Sequence, residues 1–423
     1  MNLHTESIAR GDSESAAQDP ECRRWTEQRW LLDNIIAANG CDWDQPRSIN
    51  MMVPCGPEAG ADFAGLRNSV RRFADIGPAF EAIARRREAK AEAAEAEGFT
   101  ATAATNYFMA AIHYGGAQWP HHNTGPVALA YHAKKRACYE AYARLADHRI
   151  EPVTIPFGGG ELRGWLHFPP GHNGEPAPVV ISMPGLDSFK EMFVSLHGDR
   201  WLSRGLAVLA LDGPGQAESR TLGTTVTMDN LRRFAGAAVD YLEARPDIDG
   251  TRIGLFGNSF GSFIGTIAAA NEPRLKAVAI MSICLEPRMT RLLNEASPSF
   301  KKRLMYMSGI LNEAEFDSFA QTLTWEGEVE KIAMPFLCLS GEHDELADVS
   351  HAYRMFQCMT APRRLVVYEG CTHAVGYVQS TNLGPYPSAL VADFIMSQLG
   401  GTAVLPSEHW FVHTNGRVSK TAY

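Results

Sequence analysis

Hydrophobic and polar positions follow two different periods along this chain. Between residues 22 and 148, apolar residues recur at three- and four-residue spacings over 25–38, 63–73, 76–98, 102–114 and 127–147. One face of an α-helix repeats at that interval, so these stretches are predicted to be helices. Residues 82–97 are mostly Ala, Glu, Arg and Lys, good helix formers that leave one face solvated. No part of this region alternates as a strand does. Residues 21–149 therefore read as an α-helical domain. Residues 1–20 are rich in Ser, Glu, Asp and Gly, with little to bury, and are expected to be disordered.

After residue 149 the period changes. Residues 150–157 and 161–168 are β-like and flank Gly158-Gly159-Gly160, which reads as a hairpin turn. Short, mostly apolar runs follow at 179–183, 206–211, 253–256, 277–282, 335–339 and 364–368, with helical patterns at 228–244, 349–358 and 387–399. Strands apolar on both faces, alternating with helices, predict a mostly parallel sheet covered on both sides, an α/β fold over 150–400. Residues 284–332 are too long and too helical for a simple connection. They are expected to be a helical insertion, a lid element over the C-terminal edge of the sheet. The tail, 401–423, carries Trp410 and Phe411 and is left unplaced by its pattern.

Composition narrows the function. Of 423 residues, 45% are hydrophobic and 21% charged, the balance of a soluble globular protein. A formal charge of −9 argues against nucleic-acid or anionic-membrane partners, which need basic surface. No apolar run approaches the length of a bilayer span, and no secretory signal is visible. The eight cysteines are scattered, without a C-x-x-C pair, and read as reduced core thiols of a cytoplasmic protein. No His/Cys/Asp cluster has metal-site spacing, so no metal is expected.

The candidate chemistry centres on Gly257-Asn258-Ser259-Phe260-Gly261. A buried strand runs into it and a helix-like stretch leaves it, so Ser259 sits on a sharp strand-to-helix turn. The small neighbours suit such a bend, and the hydroxyl is presented beside the positive end of a helix. The pattern alone also fits an ordinary capping turn; its context decides. A serine hydroxyl needs an adjacent base, and a carboxylate holds that base in one tautomer. The order serine, acid, histidine is met by Asp344, in Ser340-Gly341-Glu342-His343-Asp344, and His373, in Glu369-Gly370-Cys371-Thr372-His373. Both end predicted strands on the same sheet edge as Ser259. Glu342 and Glu345 remain rival acids and His343 a rival base. His121 and His122 follow Trp119-Pro120 in the helical region and read as loop or pocket-wall residues.

Acyl-transfer chemistry also needs donors for a developing oxyanion. Two backbone amides are predicted to serve: Phe260, after the serine, and Leu186, in the glycine turn Met183-Pro184-Gly185-Leu186. Asp212-Gly213-Pro214-Gly215-Gln216 ends the next strand and is read as a rigid turn beside the site.

Together, Pro184-Gly185-Leu186-Asp187-Ser188-Phe189-Lys190-Glu191, the Asp212–Gln216 turn and the Ser259 motif resemble the 2,6-dihydropseudooxynicotine hydrolase and FrsA-like family, with its fungal polyketide-shortening members. The resemblance covers roughly 150–399. It implies an α/β-hydrolase core with an N-terminal helical cap at 21–149, often in a homodimer, working on small molecules without cofactor. It also implies cleavage of a C–C bond beside a ketone, or of an ester. A further acidic residue near the site is implied, with Glu286 or Glu295 as candidates. Three readings follow. The first is a serine C–C hydrolase of aromatic or polyketide-like ketones, with Tyr107, Phe108, Tyr114 and Trp119 as candidate pocket walls. The second is a carboxylesterase or lactonase using the same residues. The third is a non-catalytic regulatory protein on the same scaffold.

Overall fold

Apolar runs with no polar side can be buried only between two layers, and this is how strands 177–183 and 207–212 are used. In a computed structural model of the chain, which describes residues 18–401 and 404–423, every residue of both strands is buried. The sheet they belong to contains, among the described residues, ten strands: β1 (Ile150–Phe157), β2 (Gly160–His167), β3 (Ala177–Met183), β4 (Ala207–Asp212), β5 (Ile248–Asn258), β6 (Ala277–Met281), β7 (Phe336–Gly341), β8 (Arg363–Tyr368), β9 (Glu408–Val412) and β10 (Val418–Ala422). Their spatial order is β1-β2-β4-β3-β5-β6-β7-β8-β9-β10. Pairing is parallel from β4 through β9 and antiparallel at the two ends.

Side-chain alternation along β5 shows the two covered faces. A Cβ added to Gly254 would meet Ile395, on the helix Pro387–Leu399, at 3.1 Å. Leu255, one residue on, faces the helix Phe260–Asn271: a Cβ on Gly265 of that helix would lie 2.9 Å from the Leu255 side chain. The sheet therefore has helices on both sides, and its central strands have no solvated face for a polar residue to occupy.

The chain forms two compact units. The first holds the residues up to Asp147 with Ser195–His197 and Ile310–Glu313; the second holds the sheet. The first is helical, with Arg23–Asn39, Gly60–Ser69, Ile76–Ala96, Thr100–Gln118 and Pro126–Leu145 close to the predicted stretches. The helix Arg47–Cys55 was not legible, because it is short, carries Pro54 and follows Pro46. Gly116 lets two helices close up, since a Cβ there would lie 2.5 Å from the Phe80 ring. The disorder expected of residues 1–20 falls, for 1–17, outside the described residues. Asp19 accepts from the Asn123 amide at 2.7 Å, and Pro20 is buried.

The C-terminal tail, left unplaced by its pattern, joins the sheet. It does not stand apart from 150–400: β9 adds to β8 in parallel and β10 returns antiparallel. Its pattern concealed this because its apolar stripe is short: Val412 enters the core, with Trp410 and Val418 packed against it. Trp410 lies between the Arg364 guanidinium and the Lys420 ammonium, each 4.1 Å from its ring. Such cation–π contacts reward residues that a hydropathy pattern scores as polar. The insertion at 284–332 is helical as expected, with helices Thr290–Asn294, Pro298–Ser308 and Glu313–Ala320.

Candidate active site

Strand register brings the predicted residues to one edge. Met183 pairs with Gly257, Asn258 with Met281, Met281 with Leu339, and Gly341 with Tyr368. The loops that follow these positions carry Leu186, Ser259, Asp344 and His373, so all four emerge at the C-terminal ends of parallel strands, where such sheets bind ligands.

Ser259 adopts φ +56°, ψ −122° between β5 and the helix Phe260–Asn271. Such backbone costs about 1–3 kcal/mol and persists only where the surroundings impose it. Here they do. The Ser259 N–H donates to the Met281 carbonyl at 2.9 Å. A Cβ on Gly257 would sit 2.0 Å from the Gly261 carbonyl, and one on Gly261 would sit 2.6 Å from the Pro184 carbonyl. Both glycines are thus required by close backbone approach.

The hydroxyl of Ser259 lies 2.9 Å from His373 Nε2. Nδ1 of the same ring lies 3.0 and 3.1 Å from the two Asp344 carboxylate oxygens. Asp344 is held in turn by the Leu346 and Ala347 N–H groups, both at 3.0 Å to Oδ1. Asp344 and His373 are 3% and 5% exposed, so their contact is shielded from water. Burial by itself lowers the pKa of His373; the Asp344 charge and hydrogen bond, with the charges of Glu345 and Asp187, outweigh it and raise the group above its ordinary value.

The rival residues have other partners. Glu345 accepts the His373 backbone N–H at 2.9 Å, and so positions the histidine loop. Glu342 accepts the Gly370 N–H at 2.9 Å. His343 is 68% exposed at its side chain and 3.7 Å from Glu342. Glu286 accepts the Arg291 N–H at 2.8 Å, capping the helix Thr290–Asn294; no contact joins it or Glu295 to the Ser259–His373–Asp344 chain among the described residues. Glu286, a candidate for the further acidic residue near the site, is thus held by its own helix start rather than by the Ser259–His373–Asp344 chain. In the helical unit, His121 packs on Tyr131, and His122 on Trp25 and Phe73. Phe108 packs against Tyr139 and Tyr142, Trp119 against Trp43 and Phe73, and the Tyr114 hydroxyl donates to Glu88 at 2.5 Å. Tyr107, Phe108, Tyr114 and Trp119 are all core residues of that unit.

The loop after β3 approaches the serine closely. A Cβ on Gly185 would lie 2.9 Å from Ser259 Cβ. Pro184 has no N–H, and the Gly185 N–H donates to Ser188 Oγ at 2.7 Å. Leu186 is then the first amide of this loop free to meet a ligand, and Phe260 opens a helix whose first N–H groups have no intrahelical acceptor. Beneath the loop, fully buried Lys190 contacts three carboxylates: Glu191 at 2.9 Å, Asp212 at 3.1 Å and Glu218 at 2.7 Å. Replacing one partner of a buried ion pair strands the other charge. Lys190→Met is accordingly expected to destabilise folding by about 3–5 kcal/mol, read by urea unfolding. A loss below about 1 kcal/mol, the level of an exposed pair, would show that the cluster contributes no more than surface charge does.

Among the described residues no cluster of His, Cys, Asp or Glu is arranged to hold a metal, and no helix is long and apolar enough to cross a membrane. No disulfide joins the cysteines, of which seven are buried and Cys358 is partly so.

Strand order, two-sided helical cover and a strained serine turn define an α/β-hydrolase fold. A family model described as esterase FrsA-like matches residues 81–325, and the chain belongs to that family. Relatives include the α/β hydrolase ucsC of Acremonium sp., 32% identical over 47% of this chain and 44% of that one. The esterase FrsA of Enterobacter sp. (strain 638) is 31% identical over 48% and 47%. The chain spans about half the length of the curated relatives it matches. Among solved structures, a 2,6-dihydroxy-pseudo-oxynicotine hydrolase superposes with a TM-score of 0.71 at 25% identity, over 84% of this chain and 97% of that one. AbyA5 superposes with a TM-score of 0.60 at 15% identity, over 88% and 99%, a likeness of fold alone.

Proposed function

We propose that this chain is a serine hydrolase that cleaves a C–C bond beside a carbonyl in an aromatic or polyketide-like small molecule. The observation that carries the hydrolase reading is the continuous chain from Ser259 Oγ through His373 to Asp344, at 2.9 and 3.0 Å. In this reading His373 Nε2 takes the hydroxyl proton as Oγ bonds to the substrate ketone carbon. The Phe260 and Leu186 amides hold the oxygen that becomes negative. Collapse breaks the adjacent C–C bond, and the carbon fragment leaves as an enolate that receives the proton from His373. Water, with His373 again as base, then releases the acyl group as a carboxylic acid and restores Ser259.

The C–C reading is supported by the family resemblance and by the likeness to the 2,6-dihydroxy-pseudo-oxynicotine hydrolase. A carboxylesterase is the second reading, favoured by the esterase FrsA-like family match and the FrsA relatives. The two share every step except the leaving group. Product analysis on aryl β-diketones and on p-nitrophenyl esters separates them. A carboxylic acid and a ketone from the diketone are expected. Turnover of the esters alone would replace the first reading with the second.

A further inference from the structure

Turn residue Gln216, which the sequence assigns only a structural place, has a side chain directed at the loop carrying the Leu186 amide. It is 1% exposed. Its Nε2 donates to the Pro184 carbonyl at 2.6 Å and to the Gly185 carbonyl at 3.1 Å, and its Oε1 accepts the Gly213 N–H at 2.9 Å. With two carbonyls on one side and an N–H on the other, the carboxamide fits in only one orientation. The next residue, Ala217, has φ +30°, a backbone that a residue with a Cβ rarely adopts. Strain of this kind persists where the surroundings over-determine the chain, and here it sits beside the side chain that reaches the loop.

Peptide geometry supplies the consequence. The Gly185 carbonyl and the Leu186 N–H lie on opposite edges of one planar trans unit. Fixing that carbonyl fixes the N–H, which points away from Gln216. The next peptide is also held, since buried Arg303 donates from Nε to the Leu186 carbonyl at 3.3 Å. The Gly185 N–H is already given to Ser188. Three contacts therefore hold the peptides on either side of Leu186, while its own N–H has no acceptor among the described residues, in a loop that Gly185 brings against Ser259.

We propose that Gln216 is a positioning residue for the oxyanion site, clamping the Gly185 carbonyl so that the Leu186 N–H is aimed before substrate arrives. This rests on the reading of Ser259 as nucleophile and Leu186 as oxyanion donor. Losing one such donor slows acyl transfer about 10²–10³-fold, and misaiming it costs part of that.

The test uses the full chain and needs no known substrate. Gln216→Met keeps the side-chain length and removes the amide; Gln216→Asn keeps the amide and shortens its reach. Three quantities are compared with wild type: the rate constant for fluorophosphonate labelling, inhibition by an alkyl trifluoromethyl ketone, which forms an oxyanion adduct, and inhibition by the matching methyl ketone, which binds without one. Gln216→Met is expected to slow labelling about 10–100-fold and to weaken the trifluoromethyl ketone by the same factor, with the methyl ketone unchanged. Gln216→Asn is expected to fall between, and decides alone if the Met variant does not fold. Wild-type labelling by both variants, or an equal loss for both ketones, overturns the positioning role. A wild-type chain that fluorophosphonate does not label is a different result: it removes the nucleophile reading, and the role of Gln216 with it.

Discussion

Ser259→Ala is expected to lower turnover by about 10⁴–10⁶-fold on any substrate the protein accepts, and to abolish fluorophosphonate labelling. The size follows from the geometry. His373 has one proton donor in reach at Nε2, the hydroxyl at 2.9 Å, and without it the base has nothing to activate in the first step. Residual rate can come only from the oxyanion donors and from binding. Stability is expected to move little. The strain at φ +56° is imposed by the turn and by the glycines around it, and alanine inherits it unchanged. The thermal midpoint should therefore stay within about 3 °C of wild type, the equivalent of roughly 1 kcal/mol in a domain of this size. The measurement pairs ester or diketone turnover with labelling and a thermal melt. Retention of a tenth of the activity by a folded variant would mean an unrecognised nucleophile, whereas a wild-type chain that neither turns over nor labels would return it to the third reading, a regulatory scaffold.

That expectation was available before any coordinates, because the site is assembled by topology. Each of Ser259, Asp344 and His373 ends a short apolar run. Parallel strands joined through helices put all such ends on one edge, so residues far apart in sequence meet once the runs are recognised. The same reasoning located the Leu186 turn after β3. What it could not reach was the layer behind these residues. Gln216 looked like any residue closing a Gly-Pro-Gly turn, because its role depends on where the turn after β4 lies against the loop after β3, and no sequence spacing records that contact. Glu345 was weighed as a rival acid and instead holds the His373 backbone; adjacency in sequence gave no sign of which carboxylate would face the ring. Glu286 stands on less. It was chosen for residue type and approximate place within a helical insertion, and a local helix start claims its carboxylate. The tail was illegible because its apolar contribution is short, Val412 in the core with Trp410 and Val418 packed against it, and ladder hydrogen bonds and cations over Trp410 add the rest.

The second large effect is expected at Asp344. His373 must be neutral to take the Ser259 proton, and its pKa is raised above 6.5 in the folded chain. The acid limb of the wild-type pH–rate profile is therefore expected above 6.5, with activity rising as pH increases through it. Asp344→Asn removes the charge that opposes burial. Burial is then opposed only by the Glu345 and Asp187 charges, the limb moves to lower pH, and the variant holds more neutral histidine at pH 7 than wild type does. It should nonetheless be slower by about 10⁴-fold, because an amide does not enforce the Nδ1–H tautomer or stabilise the imidazolium formed during attack. Stability should follow the same group. A raised folded pKa gives stability that is fully present below the unfolded value and is lost as pH rises through the folded one. From about pH 6.5 upward, wild type should lose this contribution and Asp344→Asn should not show the loss. Rate profiles and thermal midpoints of both proteins across pH 5–9 test the two statements together. A wild-type limb at or below 6.5, or one that Asp344→Asn leaves in place, would mean that the carboxylate does not control the histidine. The pairing thus sets a compromise: the charge that stabilises the imidazolium in the transition state also withholds part of the base near neutrality.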